Sequence, residues 1–145
     1  MNPIVLLAAL LIDVGNPNFR DHLGYGWSLN EHSDGRTAAW LNRMEADVFF
    51  KIAKPADHQL EIETKIFQVK DKIQNVGIYM NGKFVGSQLC KPTNDYQTLT
   101  YTVSAEHFIK GRNRMIIRVG HRARPKGDGR KLSLFVDKIR LIKIK

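Results

Sequence analysis

Residues 76–86 read VGIYMNGKFVG, two apolar, β-rich arms around an Asn-Gly pair. A two-residue type I′ turn needs positive φ at both central positions, and Asn-Gly adopts that backbone readily. Asn81 and Gly82 therefore predict a tight antiparallel hairpin with arms at 76–80 and 83–86. A lone hairpin is barely stable in water, so the chain must supply further strands to cover its apolar face.

The remaining sequence supplies them. QLEIETKIFQV (59–69) alternates, with Leu60, Ile62, Thr64 and Ile66 on one face and Glu61, Glu63, Lys65 and Phe67 on the other. Strands are also predicted at 46–52 (ADVFFKI), 98–103 (TLTYTV), 114–119 (RMIIRV) and 132–145 (LSLFVDKIRLIKIK). Only SAEHFIK (104–110) suggests a helical turn, with Ser104 as N-cap and Gly111 as its stop. Glu61 and Glu63 read as an ordinary solvated strand face. Stretches 14–42 and 120–131 read as loops, and Cys90 and Asn94-Asp95-Tyr96 fall between strands. Short strands with turn signals between them, and no internal repeat or linker, predict an all-β fold: one antiparallel β-sandwich or barrel over 1–145. At 145 residues such a domain buries roughly 68–70% of its unfolded surface and needs no staple. Cys90 is the only cysteine, so no intrachain disulfide forms; this suits a reducing compartment or a cysteine-poor exported protein.

The N-terminus begins MNPIVLLAALLIDVG, apolar without interruption from Ile4 to Ile12. That run is too short for a bilayer, which needs about 20 residues. No Lys or Arg precedes it, as a standard signal peptide would require. A strand from about Leu10 is expected, and residues 1–9 are left between a strand, a tag-like extension and the remnant of a membrane or signal segment.

Lys and Arg total 23 against 14 acidic residues, a net charge of +9. Such a balance suits anionic partners: acidic glycan, anionic lipid or nucleic acid. Nucleic acid is disfavoured, because no helix-turn-helix, RNP-like or zinc-finger pattern occurs. The charge concentrates in RVGHRARPKGDGRK (118–131), where six Lys and Arg face Asp128 alone. Within it, Arg122, Arg124 and Lys126 precede Asp128-Gly129-Arg130 and have no evident scaffold duty, so they are the candidate anion-binding residues.

Catalytic patterns are missing. No G-x-S-x-G presents a nucleophile, although Ser28, His32 and Asp34 are near in sequence. His22, Glu31, His32 and Asp34 match no closed zinc spacing, and no metal ligands are assigned. Calcium remains an option through Asp13, Asp21, Asp34 or backbone carbonyls. Carbohydrate binding needs a flat aromatic for the sugar's apolar face and hydrogen-bonding groups at the rim. Tyr25, Trp27, His32, Asp34 and Arg36 offer that set within the first loop. Trp27 equally suits a plug at the end of a sandwich core, and Trp40, placed at the start of a strand, suits core packing.

The order NG-x-x-x-G, tyrosine, strand, short helical turn, G-x-N (Gly111-Arg112-Asn113), strand resembles galactose-binding-like jelly-roll domains. IDVGNPNFRDHLGYGWSLNE (12–31), followed by TAAWLNRMEADVFFKI, is similar to the opening of β-sandwich domains appended to membrane glycosyltransferases and surface-polysaccharide proteins, with Gly26-Trp27, Glu31 and Trp40 carrying the match. The resemblance implies a jelly-roll-like, galactose-binding-like β-sandwich acting as a non-catalytic accessory module of glycosidases or surface-glycan proteins. It implies carbohydrate or an acidic polymer as partner, a place within a larger membrane or surface-glycan protein, and an extracytoplasmic or membrane-associated setting. It implies no cofactor beyond an optional structural calcium, and a pairing of Arg130 with an acidic group at the core rim. A basic anion-binding module and an enzyme of unrecognised type are the alternatives.

Overall fold

The computed structural model describes residues 9–144, all but Ala9 of the expected N-terminal extension falling outside them. Ten strands run through the described residues: β1 (Ala9–Asp13), β2 (Glu31–Ser33), β3 (Arg36–Trp40), β4 (Glu45–Ile52), β5 (His58–Ile66), β6 (Gln74–Met80), β7 (Lys83–Cys90), β8 (Thr93–Val103), β9 (Gly111–Val119) and β10 (Leu134–Lys143). They form two antiparallel sheets. The six-stranded sheet has the order β2-β3-β10-β5-β8 with β1 also paired to β10, and the four-stranded sheet has the order β4-β9-β6-β7. The fold is the expected all-β sandwich, two antiparallel sheets packed face to face.

The expected hairpin forms, with Met80 opposite Lys83 and Asn81 and Gly82 at φ 52° and 83°. Its asparagine also braces the core. Asn81 Nδ2 donates to His107 O (2.9 Å) and to Asn113 Oδ1 (2.8 Å). Asn113 is fully buried, and its side chain holds Ile109 N, Ile109 O and Gly111 O at 2.9 Å. The two asparagines of the NG…G-x-N pattern thus satisfy each other and lock the hairpin to the short 3-10 turn Ala105–His107. That turn lies within the expected helical segment, but Ser104 makes no side-chain cap; its hydroxyl meets His107 Nδ1 and Glu106 instead.

The core is built by period-two alternation. Leu60, Ile62, Thr64 and Ile66 of β5 point inward as expected and meet Val48, Phe50, Ile78, Met115 and Ile117 of the other sheet. Thr64 tolerates burial because its hydroxyl donates to Lys65 O and Phe135 O, at 2.9 and 3.0 Å.

Four expectations are corrected. Stretch 14–42 is not all loop: Asp34 (φ 55°) and Gly35 (φ 73°) close a second two-residue hairpin between β2 and β3, with Ser33 opposite Arg36. Asp-Gly is the same turn chemistry as Asn-Gly, but its arms are too short and polar to advertise strands. Asn94, Asp95 and Tyr96 lie inside β8, and Cys90 is the buried last residue of β7 rather than a loop thiol. Trp40 ends β3 instead of starting a strand. Glu63 is no plain solvated residue, since Arg36 and Arg140 both reach its carboxylate.

Candidate functional site

The site lies on the outer face of the six-stranded sheet. Trp40 of β3 pairs in register with Phe135 of β10, which faces Lys65 of β5 on its other side. All three side chains therefore stand on one face. The Trp40 and Phe135 rings pack 4.7 Å apart, and Phe67 meets the indole edge-on at 6.1 Å. Phe135 is buried beneath, while Trp40 and Phe67 remain half-exposed.

The β2–β3 hairpin rises beside this aromatic floor and makes a cleft of about 720 Å³. Glu31, His32 and Asp34 line one wall, Pro92, Thr93 and Asn94 another, with Trp40, Lys65, Phe67 and Gln68 among the remaining groups. The Asp34 carboxylate pairs with the Lys65 ammonium, which holds its carboxyl below the ordinary carboxylate value. Glu31 receives Arg130 Nη1 at 2.7 Å, and Arg130 also grips Asp128 at 2.7 Å. Hydrogen bonds from Arg130 hold the Asp128 carboxyl down at about 2. The wall thus carries fixed, ionised hydrogen-bonding groups beside a flat aromatic.

A charged lattice continues from the cleft across the same face. Arg36 Nη1 reaches Glu63 and, at 3.0 Å, the almost fully buried Asp137. Lys138 Nζ meets Asp137 at 3.0 Å. Burial alone would push the Glu63 carboxyl up, but Arg36, Lys138 and Arg140 reverse that and leave it lowered. The Arg36 guanidinium sits 4.2 Å over the Tyr96 ring. The Tyr96 hydroxyl is buried with no hydrogen-bond partner among the described residues.

The five expected sugar-contacting residues part company. His32 and Asp34 line the cleft. Arg36 lies next to it, committed to the charged lattice. Tyr25 is 64% exposed but accepts from Asp47 N through its carbonyl, placing it beside β4 of the other sheet, with Arg43 5.1 Å from its ring. Trp27 is corrected outright as a platform: it is 7% exposed, part of the core, and its indole N–H donates to Asp47 O at 2.8 Å. Trp40, Phe67, Lys65 and Asn94 were not among the expected site residues. The signal for Phe67 and Lys65 was present, since both fall on the outward face of an alternating strand.

Of the expected anion-binding residues, Arg124 and Lys126 are exposed. Arg122 is corrected: its Nη1 donates to Asn42 O at 2.9 Å, so it has a scaffold duty. The three aspartates offered for calcium do not converge. Asp13 ends β1, Asp21 lies in a separate pocket with His22, and Asp34 is taken by Lys65. Among the described residues no three His, Cys, Asp or Glu side chains converge as metal ligands. Ser28 is buried, with its hydroxyl donating to Leu29 O and accepting from Trp40 N, both at 2.9 Å, so it forms no nucleophile with His32.

No protein-family model matches the chain, and no curated protein matches it by sequence. Its fold is similar to several solved structures. A family 35 carbohydrate-binding module from Clostridium thermocellum matches with a TM-score of 0.63 at 14% identity, over 92% of this chain and 98% of that one. The C-terminal CBM6 of LamC, a laminarinase of Zobellia galactanivorans, matches with a TM-score of 0.60 at 12% identity, over 94% of this chain and 100% of that one. A GH26-CBM35 β-(1,4)-mannanase from Podospora anserina matches with a TM-score of 0.63 at 12% identity, over 94% of this chain. This chain spans only 28% of that protein. At such identities the likeness is one of fold.

Proposed function

We propose that this chain is a non-catalytic carbohydrate-binding module and that its site is the cleft under the β2–β3 hairpin. The carrying observation is the half-exposed Trp40 ring, propped on Phe135 and opening into a cleft whose wall holds Asp34, Lys65, His32 and Asn94. A pyranose presents an apolar C–H face and a polar rim. The indole takes the face, and the side chains of the wall take the hydroxyls. The Asp34–Lys65 pair offers an acceptor and a donor side by side, which suits two neighbouring sugar hydroxyls.

The reading as a binder rather than a glycosidase rests on the same wall. Glycoside hydrolysis needs one carboxyl kept protonated to act as acid. Both carboxylates of the wall are instead tied to cations, Asp34 to Lys65 and Glu31 to Arg130. Full-length neighbours that are themselves carbohydrate-binding modules lend support, and the mannanase neighbour, which carries such a module within a longer chain, supports attachment to a larger protein.

The test is titration of the protein with soluble mannan, xylan and laminarin, followed by calorimetry and tryptophan emission. Binding that shifts emission and is lost in Trp40→Ala, with melting temperature little changed, is the expected result. Binding that survives in Trp40→Ala and in His32→Ala would move the site elsewhere.

A further inference from the structure

We infer that the cleft and the basic 120–131 loop act together as one site for an acidic polysaccharide, a chain carrying carboxylate or sulfate groups. This rests on the cleft being the glycan site and adds the ligand's charge.

The loop is built as a fixed surface. Gln74, nearly fully buried, grips its start: Oε1 accepts from Gly120 N and His121 N at 3.0 and 3.1 Å, and Nε2 donates to His121 O at 2.8 Å. Arg122 ties it to Asn42, and Ala123 and Leu132 exchange two backbone bonds of 3.0 and 2.8 Å across its neck. Asp128 N closes a turn onto Pro125 O at 3.0 Å. Arg130 then bridges Asp128 to Glu31, a wall residue of the cleft. That last contact joins loop and cleft physically.

What the loop presents is charge without a counter-charge. Arg124, Lys126 and Lys131 are exposed, and among the described residues none of them forms an ion pair. The neighbouring cations Arg130 and Lys65 are both neutralised by carboxylates. Three unpaired cations on a braced loop, next to an aromatic cleft with its own charges balanced, divide the work. The cleft holds a sugar ring, and the loop holds the acidic groups of the residues following it. A rigid loop loses little conformational entropy when the polymer docks.

The experiment is native affinity electrophoresis of the whole chain in gels containing polygalacturonate, dextran sulfate, neutral mannan or duplex DNA, over about 0.05 to 0.5 M salt. Stronger retardation by the acidic polysaccharides than by mannan, fading with salt, is expected. Preference for polygalacturonate or for dextran sulfate identifies carboxylate or sulfate as the source of the charge, and either supports the inference. Arg124→Ser/Lys126→Ser/Lys131→Ser should weaken acidic-polymer binding about tenfold and leave mannan binding intact. A charge-matched control, Lys51→Ser/Lys54→Ser/Lys110→Ser, should bind acidic polymer as the parent does. Trp40→Ala should weaken binding to both polymer types. Equal losses in the control show net charge alone and overturn the inference, as does duplex DNA binding as tightly as polygalacturonate. Trp40→Ala losing mannan but keeping acidic polymer breaks the composite site while the cleft reading stands. Absence of binding to any glycan sinks that reading as well.

Discussion

Trp27 and Trp40 stand one register step apart on neighbouring antiparallel segments and face opposite ways. Trp27 bridges to Leu41, and Ser28 N donates to Trp40 O at 2.8 Å. Residues paired across an antiparallel ladder share a face, so Trp27 goes with the fully buried Leu41 into the core. Trp40, one residue earlier, goes outward onto Phe135. The same side chain in the same two-stranded region is core packing in one case and an open ring in the other. Strand parity, rather than residue type or local motif, decides which aromatic is available to a ligand.

The sharpest way to break this contrast is truncation at both positions. Trp27→Ala empties a core site and removes the bond to Asp47 O, and should lower stability by about 3–5 kcal/mol in denaturant unfolding. A loss below about 1 kcal/mol would mean Trp27 is not a core residue. Trp40→Ala should cost clearly less stability and abolish glycan binding, read by calorimetry. A companion variant, Trp27→Phe, leaves Trp40 as the sole indole, and ligand should still shift its emission; an unresponsive Trp40 would place the sugar elsewhere.

The two hairpins extend the comparison at a smaller scale. A Cβ at Gly35 or at Gly82 meets nothing within 4 Å, so only backbone strain opposes substitution at these positive-φ sites. Gly82→Val and Gly35→Val should each lower stability by about 1 kcal/mol. Only Gly35→Val should also weaken binding, because its hairpin forms the cleft wall. Equal binding in the two variants would detach that hairpin from the site.

The smallest effect is read by pH. Burial, followed by the Asp137 charge, pushes the Tyr96 phenol up to about 12. The folded state therefore favours the neutral phenol. Its contribution is intact below the ordinary tyrosine value of about 10 and is lost as pH rises through about 12. In an ultraviolet titration, Tyr96→Phe should remove a late-ionising phenol; removal of an early one would contradict its burial under Arg36.

Much of the architecture was readable from residues alone. Asn81-Gly82 named its turn, the β5 alternation named its inward face, and turn signals between short strands narrowed the fold to an antiparallel sandwich or barrel, with the resemblance pointing to the sandwich. These depend on local backbone sterics and on period two, which neighbouring residues carry by themselves. The weaker hairpin at Asp34-Gly35 was hidden because β2 and β3 gain stability from β10, far away in sequence, rather than from their own composition. His32 and Asp34 were found as polar loop residues, and Arg130 was placed at an acidic rim through the resemblance.

The sequence by itself determined strand content, the principal turn and the basic character of 118–131. Tertiary structure alone decided which tryptophan faces outward, which cations are spent on carboxylates and carbonyls, and which polar residues meet around Trp40. The reason is physical. Register between strands distant in sequence sets the facing of every side chain, and pairing of charges requires partners such as Glu31 and Arg130, Arg36 and Asp137, or Arg122 and Asn42 to be brought together by the closed sandwich.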